Sequence, residues 1–323
     1  MSAGLLRPVL GMLGLTQIRH VTPVRRHQAT GLVAQVYRQV EADFGVLAPP
    51  IALHASSPPV LAAAWVLLRE SLVVPRALSR VDKEAIAAAV SRQNACPYCV
   101  TIHGSVVNRL APRGIALTPT AGHPDGTAMV VVMHYLNRMV NVFLRDVPLP
   151  PGVPVLALRP VMRLLGGNML AAGRRRHSAG ASLRFLPEAA LPEDLSWATA
   201  AGPAVAPALA RACTTIDAAG RRSVPRDVRE LVLRQLSEWD GAPRGISRAW
   251  VEDAVAGLGD EQKAAGRLAL LVAFASFQVD AGVVERCRTA GAGDAALVEL
   301  GAWSALAAAR RMGLLAWGER SGH

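Results

Sequence analysis

The sequence predicts an all-α protein. Apolar residues recur at i, i+3 and i+4 in nearly every long segment, alanine and leucine dominate, and alternating strand patterns are almost absent. Aromatic residues make up only 4% of the chain, whereas apolar residues make up 51%, which is ample to bury a core. At 323 residues the chain is long enough for two domains of ordinary size.

The N-terminal segment, residues 1–28, is predicted to be an ordered arm. Its apolar stretch is interrupted by Arg7 and Pro8, and no small-residue cleavage site follows, so a signal peptide is not expected. The longest apolar run, VLAAAWVLL at 60–68, is shorter than the roughly 18 residues of a spanning helix. We therefore expect no membrane partner, and a buried helix in which Trp65 anchors the core.

A helix, a tight corner and a second helix are predicted around the first two cysteines. The segment VDKEAIAAAVSRQNA is typical of a helix that ends near Asn94. Pro97 favours the first position of a new helix, which makes Cys96 the N-cap and places Cys99 in the first turn. Because the positive helix end favours a thiolate, we expect the Cys99 pKa to lie below about 8.5.

The same corner brings a base close to the thiols. His103 follows Cys99 by four residues and shares its helix face. If the second helix folds back on the first, the Glu84 carboxylate reaches the His103 ring and sets its tautomer. Cys96 and Cys99 are close enough in sequence to form a disulfide. The candidate catalytic residues are therefore Cys99, Cys96, His103 and Glu84, and the chemistry indicated is redox.

The spacing E-x11-C-x2-C-x3-H formed by these four residues resembles the core of the alkylhydroperoxidase AhpD and carboxymuconolactone decarboxylase superfamily. The flanking VDKEAIAAAVSRQNACPYCVTIHGSVV and the later HYLNRMVNVFL resemble that family too, over roughly residues 30–145. The resemblance implies an AhpD-like helical fold. In the peroxidase branch the equivalent of Cys99 attacks the peroxide, that of Cys96 resolves the sulfenate, and those of Glu84 and His103 move the proton. The decarboxylase branch generally lacks the cysteine pair.

These features predict a thiol-dependent hydroperoxidase without a cofactor. Its expected partners are a hydroperoxide substrate, an external thiol or dithiol reductant protein, and further copies of the chain in a homo-oligomer. A cycling CxxC needs a supply of reductant, which favours the cytoplasm. One alternative is a general thiol-disulfide oxidoreductase or redox sensor. A thioredoxin-like module is disfavoured because its CxxC follows a strand, whereas alanine-rich helix precedes this one.

A second alternative is a non-catalytic structural protein or a zinc-binding one. Cys96, Cys99 and His103 could supply three zinc ligands. The chain has no second CxxC and no HxxxH, however, and Cys213 and Cys287 are isolated. A metal site is therefore not expected.

The predicted domains are an AhpD-like redox domain at 29–146, a Pro/Gly-rich linker or flap at 147–185, and a second helical domain at 186–323. In the last of these, Ser223 is expected to be a helix N-cap, with Pro225 early in the helix. KAAGRLALLVAFASFQVDAGVV can be aligned with KEAIAAAVSRQNACPYCVTIHG but supplies no thiol at the active positions. The second domain is either a degenerate repeat or a chance similarity among alanine-rich helices.

Charge does not point to nucleic acid. The net charge is +11, but the basic residues are scattered and aromatic residues are not interleaved with them; the densest cluster is Arg174–Arg176. On the helix at 134–144, a set of polar residues is interpreted as paired core or interface groups and kept off the catalytic list: His134, Tyr135, Asn137 and Arg138. Tyr98 is expected near the mouth of the site, in a role left open.

Overall fold

The protein is helical throughout the part that the structure describes. A computed structural model describes residues 14–111, 122–149, 153–154 and 177–318. Within these ranges every regular element is a helix, and the single β feature is an isolated antiparallel bridge between Ile18 and Leu144. The all-α prediction is confirmed. The Arg174–Arg176 cluster and Arg7 with Pro8 lie outside the described residues.

Six complete α-helices lie in the described residues of the first half, and four of them begin with proline. Proline suits the first helical position because its missing N–H would have no partner there. The helices are α1 Gly31–Phe44, α2 Pro49–Ala52, α3 Pro58–Leu68, α4 Arg80–Gln93, α5 Pro97–Leu110 and α6 Pro124–Phe143. A π-helical turn at Arg69–Val73 continues α3, and a 3₁₀ turn at Arg26–Gln28 precedes α1.

Six further α-helices lie between residues 177 and 318. They are α7 Val205–Ser223, α8 Arg226–Ser237, α9 Ala249–Val255, α10 Asp260–Ala275, α11 Ala281–Thr289 and α12 Asp294–Gly318. The 3₁₀ turns of this half lie at Leu183–Phe185, Glu193–Ala200 and Ser276–Gln278. From α10 onward the order of helix, corner, helix and long helix matches the order from α4 to α6. On this shared order we propose that the second half is a degenerate repeat.

The prediction that Ser223 caps a helix was wrong. Ser223 is the last residue of α7, and the N-cap of α8 is Pro225, whose side chain makes no capping hydrogen bond. The Val224 N–H closes the final turn of α7 on the Gly220 carbonyl, and the Ser223 hydroxyl donates to Glu299 at 2.5 Å. The hydroxyl therefore serves a contact between helices instead of a cap.

The centre of the molecule is the packing of α6 against α12. Glycines on α12 allow the two helices to approach, because a Cβ at Gly313 would lie 2.4 Å from Cγ2 of Val131, and one at Gly301 would lie 3.0 Å from Cε2 of Phe143. α12 also packs on α7 and α10, while α3 packs on α7. One continuous apolar core therefore includes residues of both halves.

The sequence also led to expectations for Trp65 and for the N-terminal arm. Trp65 is fully buried on α3, as predicted, and its indole N–H donates to Gln39 Oε1 at 2.7 Å. In the described part of the arm, the Arg19 side chain donates to the carbonyls of Asn141 at 2.6 Å and Val142 at 3.2 Å. These bonds attach the arm to the end of α6. No helix in the described ranges is long and apolar enough to cross a membrane.

Candidate active site

The corner between α4 and α5 positions the two thiols as the sequence predicts. Asn94 is the C-cap of α4, Cys96 is the N-cap of α5, and Pro97 occupies the first helical position. Ala95 turns the chain with a φ of +47°, a left-handed conformation that costs roughly 1–2 kcal/mol for a residue other than glycine. A hydrogen bond from Cys96 N to the Ser91 carbonyl, 3.0 Å long, holds this turn.

The two thiols are free, buried and in contact. Their sulfur atoms lie 2.7 Å apart, and the Cys99 amide donates to the Cys96 sulfur at 3.4 Å. A disulfide requires about 2.05 Å between the sulfurs, so a small movement is enough to form the bond. The pair is therefore arranged for reversible oxidation.

The resting Cys99 thiol is less acidic than expected. Burial raises the Cys99 pKa well above its ordinary value, and the neighbouring Cys96 raises it further through its hydrogen bond and charge. The backbone amide at the start of α5 acts in the opposite direction but does not prevail. The expectation of a lowered pKa was wrong, because removal of water from the thiolate outweighs the helix end. A base must therefore remove the proton when the thiol reacts.

The predicted base, His103, lies next to a buried carboxylate. His103 Nδ1 lies 2.7 Å from Glu84 Oε2, which is the contact that the sequence predicted between α4 and α5. On the other side, Arg80 Nε donates to Glu84 Oε1 at 2.8 Å. Burial alone would raise the Glu84 pKa, but Arg80 and His103 outweigh it and lower the pKa to about 2. Glu84 is therefore a buried carboxylate that stays ionised at neutral pH.

Cys99 and His103 line one cavity of about 90 Å³. They lie one turn apart on α5. The other residues that line the cavity are almost all apolar. They come from the α1–α2 region, the end of α3 with its π-helical turn, α5 itself and α6: Phe44, Val46, Ala48, Pro49, Pro50, Leu68, Leu72, Tyr98, Ile102, Met133, Leu136, Asn137 and Val140. Tyr98, expected near the mouth of the site, is a buried part of this wall. The cavity can admit a small apolar molecule beside the thiol.

Sequence reasoning missed Arg80 and interpreted Asn137 as a core or interface group only. Arg80 precedes Glu84 by four residues, a spacing at which helical side chains meet, and this signal was available. Asn137 lines the cavity and donates to the Ser91 hydroxyl at 3.2 Å, a contact that no spacing indicates. Tyr135 meets the expectation of a paired core group, since its hydroxyl lies 3.0 Å from His54 Nε2.

A zinc site would require at least three ligand side chains close together. In the part of the chain that the structure describes, no three His, Cys, Asp or Glu side chains are grouped so that they could hold a metal ion. His103 instead directs one ring nitrogen at Glu84.

Two comparisons with known proteins indicate the family of this chain. The carboxymuconolactone decarboxylase family profile matches residues 59–109, which include α4, the corner and nearly all of α5. The chain is also 34% identical, over 332 aligned positions, to a Mycobacterium tuberculosis (strain ATCC 25618 / H37Rv) protein called alkyl hydroperoxide reductase Rv2159c. That alignment covers 92% of this chain and 94% of the relative. No solved structure matches significantly.

Proposed function

This chain belongs to the carboxymuconolactone decarboxylase family, and we propose that it is a thiol-dependent hydroperoxidase whose chemistry is carried by Cys99 and Cys96. One observation carries the proposal: the Cys99 thiol lies in an apolar cavity with His103, and in contact with a second thiol. The similarity to a relative called alkyl hydroperoxide reductase supports the same reaction.

Glu84 and His103 form the proposed proton relay. An ionised Glu84 accepts the Nδ1–H of His103, which leaves Nε2 with a lone pair and makes it the basic nitrogen. Nε2 then removes the Cys99 proton as the thiol attacks. The imidazolium that forms is stabilised by the carboxylate beside it, which offsets the burial that disfavours the thiolate.

The cycle consumes one hydroperoxide and two thiol hydrogens. The Cys99 thiolate attacks the terminal peroxide oxygen, the O–O bond breaks, and the departing alkoxide takes the proton from His103 to leave as an alcohol. The Cys96 thiol then attacks the Cys99 sulfenic acid, which releases water and forms the disulfide. An external thiol or dithiol reductant returns two electrons and two protons by thiol-disulfide exchange.

The cavity favours an organic hydroperoxide over hydrogen peroxide. Hydrocarbon side chains form most of its surface, so binding of an alkyl or aryl group removes apolar surface from water on both partners. Because the cycle needs a reductant, we propose that the enzyme works in the cytoplasm. A homo-oligomer remains a prediction, to be checked by light scattering after size-exclusion chromatography.

The test is the intact mass of the fully reduced protein before and after one equivalent of cumene hydroperoxide at neutral pH. We expect rapid loss of two hydrogens, mapped by peptide analysis to a Cys96–Cys99 disulfide. Cys213→Ser, which changes a buried cysteine of α7, is the matched control and should react like the wild type. Thiols that stay reduced, or a loss of mass that persists in Cys99→Ser, would contradict the proposal.

A further inference from the structure

A second small cavity lies beside α6 at residues that the thiol cycle does not use. Its polar wall contains Arg138 and His134 of α6 together with Asn94 at the corner after α4. The α6 residues of the thiol cavity are different ones: Met133, Leu136, Asn137 and Val140. The second cavity therefore needs its own explanation.

Arg138 is a buried cation without a buried anion. Its Nη1 donates to Asn94 Oδ1 at 2.8 Å and to the His134 carbonyl at 3.0 Å, and its Nε donates to the Ala273 carbonyl at 3.0 Å. All of these acceptors are neutral. Within the described ranges, no carboxylate forms an ion pair with Arg138 and no group accepts a hydrogen bond from its Nη2. Burial lowers the Arg138 pKa to about 9, so the guanidinium is charged at neutral pH.

His134 presents a second donor that has no acceptor. Asn94 Nδ2 donates to the Val90 carbonyl at 2.9 Å, which fixes the orientation of the amide and places Nδ2 3.0 Å from His134 Nδ1. Arg138 Nη1 lies 2.8 Å from the same nitrogen. Asn94 Oδ1 lies 3.2 Å from the same nitrogen, but the Nη1 and Nδ2 donors lie closer, and a proton on Nδ1 would point at them. We therefore assign the ring proton to Nε2. Nε2 is buried and has no hydrogen-bond partner among the described residues, so His134, expected to be a paired core or interface group, is paired only through Nδ1.

The rest of the cavity wall is largely apolar. Trp239, Phe274, Phe277 and Met312 line it, and Phe277 is 45% exposed. The cavity offers about 30 Å³ for the centres of water-sized molecules, whereas one water needs roughly 10–15 Å³. That is room for two or three water-sized groups, so a carboxylate head group fits, and its apolar tail would lie along the partly exposed ring of Phe277.

We propose that this cavity binds a small organic carboxylate, held by the Arg138 guanidinium and the His134 Nε2–H, with its apolar tail against the aromatic wall. An unpaired buried cation and an unpaired buried donor both gain from an anionic acceptor. Hydrocarbon walls favour an organic acid over an inorganic anion. This site is separate from the proposed thiol chemistry and contains none of its four residues.

The test is calorimetric titration of the wild-type protein with hexanoate, and separately with inorganic phosphate. We expect saturable binding of hexanoate and weaker binding of phosphate. Arg138→Gln should weaken hexanoate binding by about tenfold or more, because a charge-assisted hydrogen bond to a buried group is lost. Arg234→Gln is the matched control, since it removes one positive charge from the exposed face of α8 and should leave the affinity unchanged.

His134→Asn provides a second variant in case Arg138→Gln does not fold. An asparagine oxygen can still accept from Arg138 near the position of Nδ1, but the Nε2 donor is gone, so hexanoate binding should weaken while circular dichroism stays unchanged. No saturable hexanoate binding by the wild type, tighter binding of phosphate than of hexanoate, or equal affinities in His134→Asn and the wild type would overturn the proposal.

Discussion

The corner between α4 and α5 and the corner between α10 and α11 share an N-cap hydrogen bond but carry different side chains. At each, the N-cap side chain accepts the amide proton three residues later: Cys96 Sγ from Cys99 N at 3.4 Å, and Asp280 Oδ1 from Val283 N at 2.9 Å. Seven residues after the N-cap stands His103 in the first corner and Cys287 in the second. The N-cap hydrogen bond thus stabilises both corners, whereas the side chains on the following helix determine whether a corner can react.

Burial of a thiol does not distinguish the two corners. Burial raises the Cys99 pKa, and it also raises the Cys287 pKa, to about 11. Cys287 donates to the Ala264 carbonyl at 3.3 Å and has no second thiol beside it. Cys99 has Cys96 in contact and His103 one turn away, backed by Glu84. The two corners therefore differ in that Cys99 has a second thiol and an imidazole nearby, the two groups that the proposed cycle requires.

The largest effect is expected when the first corner keeps its cap but loses its resolving thiol. Cys96→Ser retains a good N-cap residue, so the unfolding free energy should change by less than about 1 kcal/mol. Steady-state peroxide reduction should nevertheless fall to background, because the Cys99 sulfenic acid cannot close a disulfide. Trapping with dimedone, followed by mass spectrometry, should find the adduct on Cys99. A variant that turns over at the wild-type rate would remove Cys96 from the cycle.

Loss of the carboxylate behind His103 should have the next largest effect. Glu84→Gln preserves the shape of the side chain but cannot stabilise an imidazolium, and it no longer fixes Nε2 as the basic nitrogen. We expect the rate of Cys99 oxidation to fall by about 10²- to 10⁴-fold, the usual range for a general base. Stopped-flow measurement with cumene hydroperoxide checks this, with Glu252→Gln on the exposed α9 as the control that should keep the wild-type rate.

The low Glu84 pKa also predicts how stability depends on pH. The folded-state pKa is about 2 against an ordinary value of 4.5, so the ionised form favours folding. This contribution is complete above about pH 4.5 and is lost as the pH falls through about 2; its size is on the order of 3 kcal/mol. Urea unfolding at pH 6 and pH 3 should show a smaller drop in stability for Glu84→Gln than for the wild type. Equal drops would place the acid sensitivity elsewhere.

The smallest effect is expected at the second corner. Asp280→Ala removes the cap of α11 and a 2.8 Å ion pair with Arg248, both close to the surface. The free energy of unfolding should fall by about 1 kcal/mol, as is usual for loss of an N-cap. Peroxide reduction should be unchanged, because no residue of this corner reaches the thiol cavity. A loss of activity in a folded variant would mean that the two corners are coupled.

Short sequence signals predicted those features of the fold and the site that depend on interactions between residues close in sequence. Pro97 correctly indicated the start of α5 and the capping role of Cys96, and the spacing of Glu84, Cys96, Cys99 and His103 indicated the family. The Cys99 pKa depended instead on helices distant in sequence that exclude water from the thiol. The contact of Asn94 with His134 and Arg138 spans about forty residues and follows no repeat. Ser223 failed as a cap because a tertiary partner, Glu299, takes its hydroxyl.

Because α12 of the same chain packs closely against α6, we expect the specific activity of the enzyme not to depend on protein concentration. α6 forms one wall of the thiol cavity, and its other side is covered by a helix of the same chain. A helix supplied by a separate subunit would dissociate from α6 at low protein concentration. A helix of the same chain, such as α12, stays at a fixed effective concentration beside α6. The specific activity of this enzyme should therefore stay constant over dilutions that would dismantle a site shared between subunits.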